Sequence, residues 1–134
     1  MYRVYVFVDS KGRNVIFEWA KKQKIQKRDL IRIDQRVDRL SQAGTELVPQ
    51  LIEPSSGPKR EKHIFELPVG NDVAIRIMLC RGPFDMESEF TLLLGAVERD
   101  RRYVPADAPE RAERNRQILI GKGVFRRKNY ARLI

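Results

Sequence analysis

Apolar and polar positions alternate at the start of the chain. Tyr2, Val4, Val6 and Val8 fall on one side of a pleat, and Tyr5 and Phe7 are among the residues between them. A period of two with apolar groups on both sides predicts an inner β-strand. Asp9-Ser10-Lys11-Gly12-Arg13 has the composition of a turn, and Asn14 is placed to cap a short helix through Ile16, Trp19 and Ala20. The period then lengthens. Leu30, Ile33, Val37 and Leu40 recur every three or four residues, which predicts a second helix with Gly44 as its left-handed stop. The opposite face of that helix carries Lys27, Arg28, Arg32, Arg36 and Arg39 interspersed with Asp29, Asp34 and Asp38. Salt-bridged solvation accounts for such a face as well as ligand binding does.

Residues 53–62, EPSSGPKREK, are the loop-rich stretch of the interior. Three extended segments follow: His63 to Val69, Val73 to Arg81, and the nearly continuous apolar run Phe90 to Val97, which has the character of a central strand. Gly70-Asn71 suits a hairpin turn, and 82–89 a longer one. Asp107, Pro109 and Glu110 have the pattern of a capping box opening a helix through Ala112, Ile118 and Leu119, ended by Gly121 and Gly123. The expected architecture is α+β: two N-terminal helices and a C-terminal helix packed on an antiparallel sheet of about four strands. Residues 1–120 would form one domain, and 121–134 a basic tail.

Composition narrows the picture. At 134 residues, 42% apolar and 34% charged, the chain supports one modest core and excludes a second full domain. Its apolar runs fall short of the roughly 20 residues a bilayer span requires. The stretch MYRVYVFVDS lacks the long apolar region of a secretory signal, so a cytoplasmic protein is expected. Cys80 and His63 each stand alone, which rules out an intrachain disulfide and leaves a zinc cluster without enough ligands; no metal and no cofactor are expected. The net charge of +9 is uneven: residues 1–50 carry +5, 51–100 carry −3 and 101–134 carry +7. Basic ends favour a polyanionic partner, although a generic solubility surface has the same composition.

The strand from Val73 to Arg81 places Val73, Ile75, Ile77 and Leu79 on one face and Ala74, Arg76, Met78 and Cys80 on the other. A guanidinium in mid-strand needs a carboxylate, water or a phosphate. A salt bridge to Glu66 and a phosphate contact are both open at this point.

Taken in order, FEWAKK (17–22), LSQAGTEL (40–47), IFEL (64–67), AIRIML (74–79), TLLLGAV (91–97) with ERDRRYVP (98–105), and PERAERNRQIL (109–119) resemble the RelE/HigB-like toxins of bacterial toxin–antitoxin systems. The resemblance runs from about residue 15 to 119 and lies in the conjunction of these pieces. It implies a RelE-like fold with a basic concave surface, and an endoribonuclease without a metal that cuts messenger RNA in the ribosomal decoding site. It also implies a cognate antitoxin covering that surface. In such enzymes the ribose 2′-hydroxyl attacks the adjacent phosphate while cationic side chains stabilise the developing charge.

Residue by residue, the resemblance makes Arg76 the phosphate-contacting arginine and Arg99 the first of a basic pair after the last strand. The second position of that pair is Asp100, a departure, and Ile64 and Glu66 stand where RelE carries lysines. Lys59, Arg60, Lys62, Arg101 and Arg102 could supply the charge from neighbouring positions, and Tyr103 or His63 could move a proton. The ordinary readings, a packing tyrosine and a strand-edge histidine, stand ahead of these roles for the last two. A non-catalytic binding protein on the same fold, directed at gyrase or decayed, and a basic nucleic-acid-binding domain unrelated to toxins are the rival readings.

The segment after the last helix holds Arg126, Arg127 and Lys128 among Phe125 and Tyr130. Cations with interleaved aromatics suit single-stranded RNA. Disorder, or an added strand packed on the domain, are the alternatives.

Overall fold

The computed structural model describes residues 1–43, 52–70 and 74–134. Its elements are β1 (Arg3–Phe7), α1 (Val15–Lys22), α2 (Lys27–Gln42), β2 (Glu53–Pro54), β3 (Phe65–Val69), β4 (Ala74–Arg81), β5 (Glu89–Arg99), β6 (Arg102–Val104), α3 (Ala108–Lys122), a 3-10 turn Val124–Arg126, and β7 (Arg127–Asn129). The chain is mixed α+β, with three α-helices among the described residues and one sheet. Gly44, the expected helix stop, Asn71 of the expected hairpin turn and Val73, the expected strand start, lie outside the described residues.

The sheet differs from the expected four antiparallel strands. Among the described residues it has seven, in the order β2-β3-β4-β5-β1-β7, with β6 paired to β5 off this path. β1 runs parallel to β5, Arg3 opposite Glu89 through Val6 opposite Leu92, because α1 and α2 return the chain across one face before the meander begins. The additional strands β2, β6 and β7 are two or three residues long, too short to show any period.

β1 is an inner strand flanked by β5 and β7, as its two apolar faces require. α1 begins where Asn14 accepts hydrogen bonds from the backbone N–H groups of Ile16 (2.9 Å) and Phe17 (3.0 Å), satisfying two orphan donors of the first turn. α2 buries Ile33, Val37 and Leu40 against Leu67, Val69, Ile75, Ile77 and Leu79. On the other sheet face Met78, Cys80, Leu93 and Ala96 meet Ala108, Ala112 and Leu119 of α3. Helices therefore cover both faces, α1 and α2 on one and α3 on the other. The register slips between Met78 and Leu79, leaving Leu93 as an extra residue on β5. Beyond Leu93 the odd-numbered residues of β5, Gly95 and Val97, share the α1 side.

Gly95 shows why that matters. A Cβ built there would lie 2.2 Å from the Trp19 ring, so the indole seats directly on the strand backbone and only glycine admits it. At α3 the capping box does not form: Asp107 makes no side-chain cap hydrogen bond. The helix also runs through Gly121, stopping at Gly123 with φ of 95°. No helix among the described residues is long and apolar enough to cross a membrane.

Of residues 121–134, expected to be a tail, the first two end α3 and those from Arg127 on belong to the sheet and its flank. β7 pairs antiparallel with β1, and the Tyr130 N–H donates to Val4 O at 2.9 Å. Asp34 of α2, at 2% exposure, accepts from the Tyr130 hydroxyl and from the N–H groups of Leu133 (2.9 Å) and Ile134 (3.1 Å). Asp38 pairs with Arg132. The expected intrahelical lacing of α2 is thus largely replaced: Asp29 pairs with Arg32, whereas Asp34 and Asp38 serve the end of the chain.

Candidate nucleic-acid interface

Period-two alternation puts Glu66 of β3, Arg76 of β4 and Glu98 of β5 on the face covered by α3, because Phe65, Leu67, Ile75 and Ile77 occupy the other. The Arg76 Nε lies 3.6 Å from Glu66 and 3.2 Å from Glu98. It makes no hydrogen bond to either, and the Nη1 group donates to the Ile75 carbonyl at 3.0 Å. The guanidinium expected to open toward a phosphate is therefore held between two carboxylates, with its side chain 19% exposed. The salt bridge to Glu66 forms, and Glu98 adds a second.

Tyr103 of β6 sits opposite Glu98 across the hairpin. Its hydroxyl donates to Glu66 and accepts from the Ser56 N–H at 3.1 Å, with the Ser56 hydroxyl 2.9 Å away. This joins the loop after β2 to the end of the sheet. Burial pushes the Glu66 carboxyl above the usual carboxylate range, although the Tyr103 hydroxyl and the Arg76 guanidinium oppose the shift. Burial and the Glu66 carboxylate raise the Tyr103 phenol in turn. A phenol so raised keeps its proton near neutrality and serves as a hydrogen-bond donor rather than a base.

Beside this cluster lies a cleft of about 430 Å³ whose lining includes Lys59, Arg101, Arg102, Tyr103 and Glu98. Lys59, Arg101 and Arg102 are exposed. Lys59 lies 3.7 Å from Glu110, a solvated pair of small worth. Asp100 and Arg101 form the β5–β6 turn with φ of 50° and 64°, a left-handed pair that ordinarily selects Gly or Asn and that sets Arg101 at the cleft mouth. Among the described residues no three His, Cys, Asp or Glu side chains are grouped to hold a metal ion.

The other candidates divide. Arg99 is exposed but alternates to the opposite sheet face from Arg76, so the two are not brought together. His63, Arg60 and Lys62 are exposed in the turns before β3 and do not line the cleft. Arg126 stacks 5.1 Å over Phe7 and donates to the Val8 carbonyl. Arg127 is structural: it pairs with buried Glu89 at 2.7 Å and lies 3.7 Å over the Tyr5 ring. Of Arg126, Arg127 and Lys128, only Lys128 is exposed. Sequence reasoning missed Ser56 and Glu98 as cleft residues. Glu98 lies diagonal to Arg76 across β4 and β5, two residues past Ala96, which is the residue opposite Arg76, so its pairing depended on a register that the chain does not show.

No family model, no curated protein and no solved structure matches the chain.

Proposed function

We propose that this chain is a RelE/HigB-like toxin with a RelE-like fold, acting on messenger RNA at the ribosome in the cytoplasm and restrained by a cognate antitoxin. The observation that supports it is the cation-rimmed cleft: Lys59, Arg101 and Arg102 line, with a proton-holding tyrosine, a hollow of about 430 Å³. The roles differ from those the resemblance alone implies. Arg101 and Arg102 contact phosphate, Glu66 with Arg76 positions the Tyr103 hydroxyl, and on binding Tyr103 turns its hydroxyl hydrogen from Glu66 to a phosphate or leaving oxygen. No metal or cofactor takes part in this reading.

The test is cleavage of messenger RNA on translating ribosomes, mapped by primer extension. Wild-type protein is expected to cut within the reading frame, Tyr103→Phe to cut at least tenfold more slowly, and Arg101→Ala with Arg102→Ala to lose cutting. Intact transcripts in the presence of folded wild-type protein would remove the nuclease claim.

A specific observation favours a second reading on the same fold. Glu98 lines the cleft and Arg76 is neutralised by two carboxylates, an arrangement suited to a binding protein without catalysis. Under that reading, growth arrest persists in the Tyr103→Phe protein and transcripts stay whole.

A further inference from the structure

Helix α2 segregates its charges. At about 100° per residue, Arg32, Arg36 and Arg39 share one flank, and Asp34 and Asp38 the other. The aspartate flank is occupied by residues 130–134: Asp34 accepts from Tyr130, Leu133 and Ile134, and Asp38 pairs with Arg132. On the arginine flank Asp29 pairs with Arg32 at 3.4 Å, while Arg36 and Arg39 have no ion-pair partner among the described residues. Both are exposed. Together with Gln35 and Gly70 the three arginines line an open hollow of about 390 Å³. Folding has thus engaged Asp34 and Asp38 elsewhere and left Arg36 and Arg39 in water.

We propose that this flank is a second polyanion surface, one that takes the sugar–phosphate backbone of a nucleic-acid duplex. It lies on the opposite side of the sheet from the Tyr103 cleft, since α2 packs on the face of Leu67 and Ile77 and the cleft cluster is on the other. Along the helix Arg32 and Arg36 are about 6 Å apart and Arg32 and Arg39 about 10 Å, at 1.5 Å per residue. A duplex strand presents a phosphate every 3.4 Å or so of axis, so flexible guanidinium stems on this spacing reach two or three successive phosphates. Among the described residues the hollow is lined by no aromatic ring on which an unpaired base could stack, and this favours a duplex over a single strand. The proposal stands whether or not the cleft binds RNA.

Fluorescence anisotropy over a salt series tests it with three probes: a short RNA duplex, the DNA duplex of the same sequence and an unstructured RNA strand. Arg36→Gln combined with Arg39→Gln is expected to lower the salt slope for the duplex by about 2, at about 0.9 per phosphate contact. If the two titrations converge at 1 M salt, that slope corresponds to about thirtyfold weaker binding near 0.15 M. Single-strand binding is expected to be unchanged, and Arg101→Ala with Arg102→Ala to leave duplex binding intact. Equal binding of both duplexes supports readout of the backbone alone; preference for RNA supports readout of A-form shape. Unchanged duplex affinity in the Arg36/Arg39 variant, failure of the wild-type protein to bind either duplex, or equal losses on all probes in both variants would overturn it. Both positions are exposed, and an unaltered unfolding temperature confirms that each variant is folded.

Discussion

Replacing Arg127 by Ala removes one partner of an ion pair that is almost entirely out of water: the side chains of Arg127 and Glu89 are 7% and 2% exposed, 2.7 Å apart. Stripping one partner from a buried pair costs roughly 3–5 kcal/mol, because the remaining charge loses its compensation. Glu89 keeps the N–H groups of Phe84 and Asp85 at 3.1 and 3.0 Å, which places the expected loss near the lower end, about 3 kcal/mol. The guanidinium stack between Tyr5 and Phe84, at 3.7 and 4.7 Å, disappears with it. For a chain of this length the change amounts to about 10 °C in unfolding temperature. It can be followed by the fluorescence of Trp19, the sole tryptophan. The acid limb supplies a second readout. Burial would raise the Glu89 carboxyl, but the hydrogen bonds and charge of Arg127, with the two amides, outweigh it and hold the group below the usual range. A depressed carboxylate stabilises the fold above its unfolded pKa, and that contribution is lost as pH falls below about 4. The Ala variant is expected to show a shallower acid loss, and the double variant Glu89→Gln with Arg127→Met to recover most of the stability. A loss below about 1 kcal/mol, or acid limbs that superimpose, would refute the assignment of Arg127 as a structural cation.

Three further outcomes are expected. Gly95→Ala drives a methyl into the Trp19 ring and should destabilise by about 1–3 kcal/mol with a shift in tryptophan emission; unchanged emission and stability would contradict the close seat of the indole. Glu66 should behave with the opposite sign to Glu89: its carboxyl is raised, so its contribution to stability improves as pH falls through its native value toward the ordinary one, and Glu66→Gln should abolish that improvement in a urea series across pH 4–7. Asp34→Ala leaves the Tyr130 hydroxyl and the Leu133 and Ile134 N–H groups without their acceptor, which should cost about 2–4 kcal/mol and open residues 127–134 to limited proteolysis. Wild-type resistance in that variant would show that the strand pairing of β7 alone holds the segment.

Long periodic segments were legible from the chain. The two apolar sides of Tyr2 to Val8 give an inner strand, the Leu30-Ile33-Val37-Leu40 stripe a helix with one buried face, Asn14 a helix start, and the alternation around Arg76 the face on which that arginine lies. These are local: the period, the cap and the face all follow from the residue's own neighbours. The site was only partly legible. Lys59, Arg101, Arg102 and Tyr103 meet at one cleft although Lys59 is remote from the others in the chain, whereas Arg99 alternates to the sheet face opposite that of Arg76.

What the tertiary structure alone decided is which charge meets which. Arg76 is held by carboxylates on two neighbouring strands, Arg127 by Glu89, and Asp34 by donors about a hundred residues away. A charged side chain has no periodic signature for its partner. The pairing is set by strand register and by where the chain returns, and both depend on how the whole sheet closes.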